Sequence, residues 1–352
     1  MDFLKKHRFL AVISAALLVL SLVSVGAFCA VKGTLYYTSA AKEWAGESGE
    51  FFAYISCFMP VNGKVSENEI RSFNNTVDKK LVELSIKNDD ERNLWKYSYS
   101  GSGNVYVTSE RGSASVYALG VGGDFFSFHR MRLRSGNYIS ESDLMHDLVV
   151  VDKELAWKLF GAIEVEGMEL NIGGKRFIVS GVVERDSDFA SRDSYPEDSG
   201  LYMSYDLFDE ICGGGIDCYE VILPNPVSGF AKQLVAENFI SPSAEIIEVS
   251  SRYSLGHIFE VITSFGKRSM RTDGAVYPSW ENAARLTEDY CALALVLALL
   301  LGIEPLCFAV AALWNYGKLG GGKLGEWLKK TSVKFYDKVN DKLYEREQRI
   351  KK

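Results

Sequence analysis

Histidine is scarce in this chain of 352 residues: only His7, His129, His146 and His257 occur, and they are scattered. His146-Asp147 sets two ligand-type side chains together, but two adjacent residues make no metal site. Six cysteines are present. Cys29, Cys291 and Cys307 lie in or beside apolar runs and read as small apolar residues, and Cys57 lies in a strand-like stretch. Only Cys212 and Cys218, in CGGGIDC, are spaced like a pair. Cys-x5-Cys without nearby His or Cys is no metal site, but an exported location permits a disulfide between them; bonded and free forms both stay open. Neither G-x-S-x-G nor H-E-x-x-H occurs, and no carboxylate pair stands out as a general acid and base. Gly317-x4-Gly322-Lys323 imitates a phosphate-binding loop, yet Leu324 stands where that loop needs Ser or Thr. Gly120-Val121-Gly122-Gly123 lacks the spacing of a dinucleotide-binding turn. These absences point away from an enzyme and from a bound cofactor or metal. There is no internal repeat.

What is present is hydrophobicity gathered into two runs. Phe9–Val31 carries no charged residue, and Cys291–Trp314 carries only Glu304. A helix crosses the hydrocarbon layer in about 20 residues, so both runs qualify as spans. The first is too long for a signal-peptide core, and Ala27-Phe28-Cys29-Ala30 is a poor cleavage site, so a retained anchor is expected over a cleaved signal. The alternative for the second is a buried core helix.

Charge sorts the chain around these runs. Lys5, Lys6 and Arg8 precede the first. Residues 315–352 carry 11 Lys/Arg against 5 Asp/Glu, whereas residues 32–314 carry 25 against 40. Basic flanks stay in the cytoplasm, so both termini are expected there, with the acidic middle exported. An acidic exported domain argues against nucleic acid as a partner. The expected layout is a cytoplasmic N-terminus (1–8), a first span (9–31), an extracytoplasmic domain (32–289), a second span (290–316) and a basic cytoplasmic tail (317–352).

Between the spans, the patterning predicts an α+β fold. A strand over 51–60 ends at Pro60. Ser66-x-x-Glu69 is a capping-box pattern, followed by Ile70, Phe73, Val77, Leu81 and Leu84 at helical spacing. Strands are expected at 94–99, 105–109 and 115–121, with Gly101-Ser102-Gly103-Asn104 as a hairpin turn. Residues 147–160 read as a strand entering a helix that Gly161 stops, and 168–183 as a hairpin turned at Gly173-Gly174. Residues 186–200 read as a long exposed loop. Strands at 201–205, 219–223 and 245–250 surround a helix over 226–239. From Tyr253 the chain reads as helical, broken near Asp273-Gly274 and Pro278. The tail opens with a flexible GKLGGGKLG stretch. Leu324, Leu328, Phe335, Val339 and Leu343 then fall on one helical face, suited to the lipid surface, a cytoplasmic partner or solvent.

Glu304-Pro305 is the most specific local feature, set near the middle of the second run. A charged carboxylate there costs about 2.5–3.5 kcal/mol on insertion scales, and proline removes a backbone donor. One reading is a protonated Glu304 hydrogen-bonded to Ser14, Ser21 or Ser24 of the first helix. The other is a contact to a further membrane subunit, or a hinge.

Residues 119–183 carry a resemblance. Gly123-Asp124-Phe125-Phe126, Leu133-x-Ser135-Gly136, Val149-Val150-Val151, Leu155-Ala156, Leu159-Phe160-Gly161, Gly167 and Phe177-x-Val179-x-Gly181-Val182 resemble the extracytoplasmic core domain of MacB-type ABC transporter permeases, which include FtsX-like proteins. The resemblance is looser over 35–290. It implies a MacB-like core domain between two membrane helices, in the plasma membrane. Such permeases have four membrane helices, and an ATPase in a separate cytoplasmic domain drives them. Two spans are found here, so the resemblance implies a non-catalytic permease-like subunit. A separate ABC ATPase and a further permease subunit would then be its partners, beside the lipid bilayer. The alternatives are an anchored binding or sensing domain, or a cell-envelope regulator.

Overall fold

The computed structural model describes residues 7–33, 36–47, 50–84, 86, 93–197 and 199–350, with backbone only for 36–37, 316–329 and 331–350. Lys5 and Lys6, and the side chains of the apolar tail face from Leu324 to Leu343, lie outside the described residues. The chain divides into two units, Ala30–Ala292 and Met1–Cys29 with Leu293–Lys352. Each is described by itself.

The smaller unit holds most of α1 (Arg8–Lys32), 25 residues long, and the apolar part of the final helix; both helices are long and apolar enough to span a membrane. In the larger unit, α2 (Ala40–Ala45) precedes β1 (Phe52–Phe58). α3 (Glu67–Glu83) starts as its sequence requires. Ser66 Oγ accepts from the Glu69 backbone N–H while the Glu69 carboxylate accepts from the Ser66 N–H, satisfying two of the helix's orphan donors. β2 (Lys96–Thr108) and β3 (Ser113–Gly123) form a long antiparallel pair, followed by α4 (Phe125–Phe128) and β4 (Arg132–Gly136). β5 (Leu148–Asp152) runs directly into α5 (Lys153–Phe160). Asp152 Oδ1 caps α5 by accepting from Leu155 N–H at 2.7 Å, and Gly161 ends it at φ 71°, a left-handed position that favours glycine. β6 (Glu169–Ile172) and β7 (Lys175–Glu184) make the expected hairpin. Then come α6 (Phe189–Ser194), β8 (Gly200–Ser204), α7 (Tyr205–Cys212), β9 (Cys218–Pro224), α8 (Phe230–Asn238), β10 (Glu245–Glu248), α9 (Leu255–Thr263) and α10 (Ser279–Ile350).

The strands form one mixed sheet in the order β10-β1-β9-β2-β3-β8-β5-β7-β4, with β6 pairing β2 and β7. β3–β8 and β5–β7 are parallel, and the other pairs are antiparallel. Side chains alternate across a strand. Ala53, Ile55 and Cys57 of β1 therefore join Tyr219, Val221 and Leu223 of β9 in the main core, covered by α3, α5, α7 and α8. Tyr54, Ser56 and Phe58, with Cys218, Glu220 and Ile222, are buried on the opposite face.

Three local expectations are corrected, and one helix is found where none was expected. Gly101–Asn104 is no turn, since β2 runs straight through it. Gly101 pairs with Gly120 of β3, and Tyr99 with Gly122. A Cβ on Gly120 would lie 2.4 Å from the Phe208 ring, and one on Gly122 2.1 Å from Tyr99. The glycines make room for rings lying flat across the sheet. Residues 186–200 are no open loop: Asp188 caps α6, whose Ala190, Ser191 and Ser194 are buried. Residues 317–325 are helical within α10; glycine weakens a helix by about 1 kcal/mol per residue without forcing a break. Residues 205–212 are helical too, as α7.

Gly120→Ala is expected to destabilise the domain by about 1–3 kcal/mol through overpacking against Phe208, read as a lowered melting temperature of the purified chain. An unchanged melt would show that Phe208 does not hold that place.

Candidate functional site

The opposite face of the sheet is built around charge. In-register pairing of β1, β9 and β2 sets Ser56, Glu220 and Ser98 in one row. Glu220 is 1% exposed, and an isolated carboxylate there would be costly. Its Oε1 accepts from Tyr54 Oη at 2.5 Å and Ser56 Oγ at 3.3 Å, while Oε2 accepts from Ser98 Oγ at 3.3 Å and lies 2.5 Å from His129 Nε2. Burial pushes the Glu220 carboxyl up, but His129 and these hydrogen bonds outweigh it and hold it below its ordinary range. The His129 ring packs 4.2 Å from Trp280 and 4.8 Å from Phe125. The cluster thus joins the sheet centre to the first turn of α10.

The next turns of α10 are fixed by an ionic junction. Arg252 Nη2 donates to Glu281 Oε2 at 2.6 Å, and Arg252 Nε lies 3.3 Å from Glu288 Oε1. Arg285 reaches Glu281 at 2.6 Å and Glu245 of β10 at 2.7 Å. Arg268 pairs closely with Glu288, and His257 Nε2 lies 3.3 Å from it. Arg252, Glu281 and Glu288 are each 1% exposed and Arg285 is 3% exposed. Burial pushes the Glu288 carboxyl up, but Arg252, His257 and Arg268 bring it down to about 2. Burial acts to lower Arg285, and Glu281 and Glu245 more than reverse it. The segment between α9 and α10 is strapped to the same turns. Gly266 N–H donates to Asp289, Met270 N–H to Asn282 Oδ1, and Arg285 Nη1 to the Arg268 carbonyl. None of these residues stood out in the sequence, because the partners come from four separate segments and only burial reveals them. An arginine within IIEVSSRYS was the available signal.

The smaller unit contains Glu304 and Pro305. Ser14 Oγ donates to Glu304 Oε1 at 2.8 Å, while Glu304 Oε2 is buried with no hydrogen-bond partner among the described residues. Ser21 Oγ donates instead to the Ala298 carbonyl at 2.8 Å, and Ser24 Oγ to its own helix at Leu20. Ser21 also approaches the place a Cβ on Gly302 would occupy, at 3.2 Å. Pro305 lies inside α10.

Cys212 and Cys218 are free thiols. Cys212 packs against the main core and Cys218 sits with Phe58 and Tyr277 on the other face. The sheet separates them, which accounts for the unbonded state.

Among the described residues no group of three or more His, Cys, Asp or Glu could hold a metal. Residues 60–229 match the model of the MacB-like periplasmic core domain family. The chain therefore contains a domain similar to the periplasmic core domain of MacB-like permeases, and it has two candidate membrane spans. The chain is similar to the extracellular domain of the noncanonic ABC-type transporter YknZ from Gram-positive bacteria. That match has 13% identity and a TM-score of 0.38, over 56% of this chain and 100% of that one. It is also similar to the periplasmic region of MacB from Actinobacillus actinomycetemcomitans, at 18% identity and a TM-score of 0.39, over 56% and 89%. A domain of a putative permease protein from Porphyromonas gingivalis matches at 13% identity and a TM-score of 0.33, over 55% and 88%. No curated protein matches.

Two expectations follow. Arg252→Met removes a cation that two buried glutamates share, and breaking such a pair costs about 3–5 kcal/mol, read as a lowered melting temperature. The Glu288 carboxyl is held down to about 2 from its ordinary 4.5. Its stabilisation is therefore full above that ordinary value and is lost as pH falls through about 2. Asp152 works the other way. Burial, opposed by Arg185, pushes it up to about 6, so acid relieves its cost. Melts at stepped pH should show no loss from this pair on first acidification, then a steep acid limb that shrinks in Glu288→Gln. An unchanged limb in that variant would refute the assignment to Glu288.

Proposed function

We propose that this protein is a non-catalytic, permease-like subunit of an ABC-type assembly. It couples an ATPase on a separate chain to its extracytoplasmic domain. The single observation that carries the reading is the content of α10. One helix contains both the carboxylates of the ionic junction, Glu281 and Glu288, and the apolar span with Glu304 and Pro305. Coupling needs an element that is held at the domain, and buried paired charges have two discrete states, made or broken, which suits switching over gradual yielding.

Residues 32–289 are the extracytoplasmic part, between spans at 9–31 and 290–316, with residues 1–8 and the basic tail 317–352 in the cytoplasm. The positive-inside distribution of Lys and Arg supports this orientation. The basic tail is the element available to the ATPase or to anionic lipid. A further permease subunit supplies additional membrane helices, with Glu304 Oε2 as a contact point or Pro305 as a hinge. The second reading is an anchored binding or sensing domain without transport, and it predicts no ATPase.

Affinity purification of the detergent-solubilised chain should bring down an ABC ATPase. Recovery without an ATPase or a second permease would reject the first reading and leave the second. Glu304→Gln keeps an oxygen that accepts from Ser14. If the contact is neutral, co-purification should be unchanged, whereas an ionised contact predicts its loss.

A further inference from the structure

A groove opens where the N-termini of α3 and α7 meet the ends of β2 and β3 and the 139–146 loop. Its volume is about 230 Å3, and a second hollow of about 460 Å3 shares its Glu67, Tyr205 and Asp206. Three carboxylates from three separate segments converge on it: Glu67 of α3, Glu141 of the loop and Asp206 of α7. Each has one local partner, Arg71 at 2.5 Å, Gly123 N–H at 2.8 Å and His146 at 3.2 Å respectively.

Acids in a first helical turn are ordinary, since they complement the helix dipole. That accounts for Glu67 and Asp206 but not for Glu141, nor for what lies beneath. The groove is lined by Tyr99 and Tyr205, 5% and 4% exposed, packed edge to face at 5.4 Å. Neither hydroxyl has a hydrogen-bond partner among the described residues, and both oxygens stay accessible from the groove. Tyr99 is held there by Gly122, where a Cβ would lie 2.5 Å from its Oη. Burial, then Glu67 and Glu141, push the Tyr99 hydroxyl well above its ordinary value. Two unpartnered hydroxyls and aromatic faces under a ring of carboxylates form a receptor for a cation that brings its own N–H donors.

We propose that this groove binds a small alkylammonium compound, its charge set against Glu67, Glu141 and Asp206 and its N–H groups donated to the Tyr99 and Tyr205 hydroxyl oxygens. A bare metal ion would use the carboxylates but gain little from the rings, and a neutral ligand would leave the carboxylates unanswered. The acidic balance of residues 32–314, 25 Lys/Arg against 40 Asp/Glu, favours approach of a cation. The inference does not depend on the transporter reading.

Isothermal titration of the full chain in a non-ionic detergent tests it, with cadaverine as probe and pentanediol as its neutral isostere. Saturable binding of cadaverine, with none of pentanediol, is expected. Asp206→Asn should weaken binding about tenfold, and Tyr205→Phe severalfold. Both variants should keep the parent melting temperature, Asp206 being exposed and Tyr205→Phe removing one unpaired oxygen. No saturable heat up to about 10 mM, or equal affinity in both variants, would overturn the proposal. Tighter binding of a blocked lysine tripeptide than of cadaverine would overturn the small-molecule assignment in favour of a polypeptide partner.

Discussion

Charge buried at the start of α10 is the constraint on which the rest of the domain turns. Arg252, Glu281, Arg285 and Glu288 are nearly inaccessible to water, and a buried charge is tolerated only when paired. The pairing needs α9, β10 and the strap over residues 264–272 in place together. Removing any one contributor strands a charge that has no solvent to turn to. An apolar contact of the same size could slip by an ångström at small cost. This one is either made or broken, so it fixes the rotation and register of the helix's first turns.

The sheet carries different chemistry on its two faces. One is apolar and covered by four helices, the usual source of stability for a layered α+β domain. The other holds a polar row of Ser56, Glu220 and Ser98, closed by Tyr54 and His129. His129 reaches Trp280, so the polar face is where the sheet and α10 meet. The apolar face makes the domain stable, and the polar face determines how α10 is seated.

Features written in short windows were legible in the sequence. The Ser66/Glu69 cap, the Leu155-Ala156-Leu159 face ended by Gly161, and the Gly173-Gly174 hairpin need no partner beyond a few residues. The glycines of β2 and β3 misled because their reason is remote: Gly101, Gly120 and Gly122 serve Phe208 and Tyr99. Asp188 before Phe-Ala-Ser was a readable cap that the surrounding Asp and Ser concealed. Glu220 is a lone charge inside CYEVILP that the sequence reading passed over, because its partners lie 91 to 166 residues away. The ionic junction was illegible for the same reason. Ser14 was one of three serines open to Glu304, and only the structure distinguishes it, since Ser21 and Ser24 donate to backbone carbonyls instead.

The position of β1 sets the order in which this domain can be made. Its two neighbours are β9 and β10, so the first strand of the sheet waits for nearly the last. Until residue 248 is available, Phe52–Phe58 is an apolar strand with both edges open, the kind of segment that pairs with the wrong chain. Local pieces such as the β2–β3 pair and the β6–β7 hairpin can form early, but closure is long-range and correspondingly slow. A chain synthesised from its N-terminus onward would spend that interval unfinished. Its biogenesis therefore depends on how quickly the far end follows, or on a chaperone that covers β1 in the meantime.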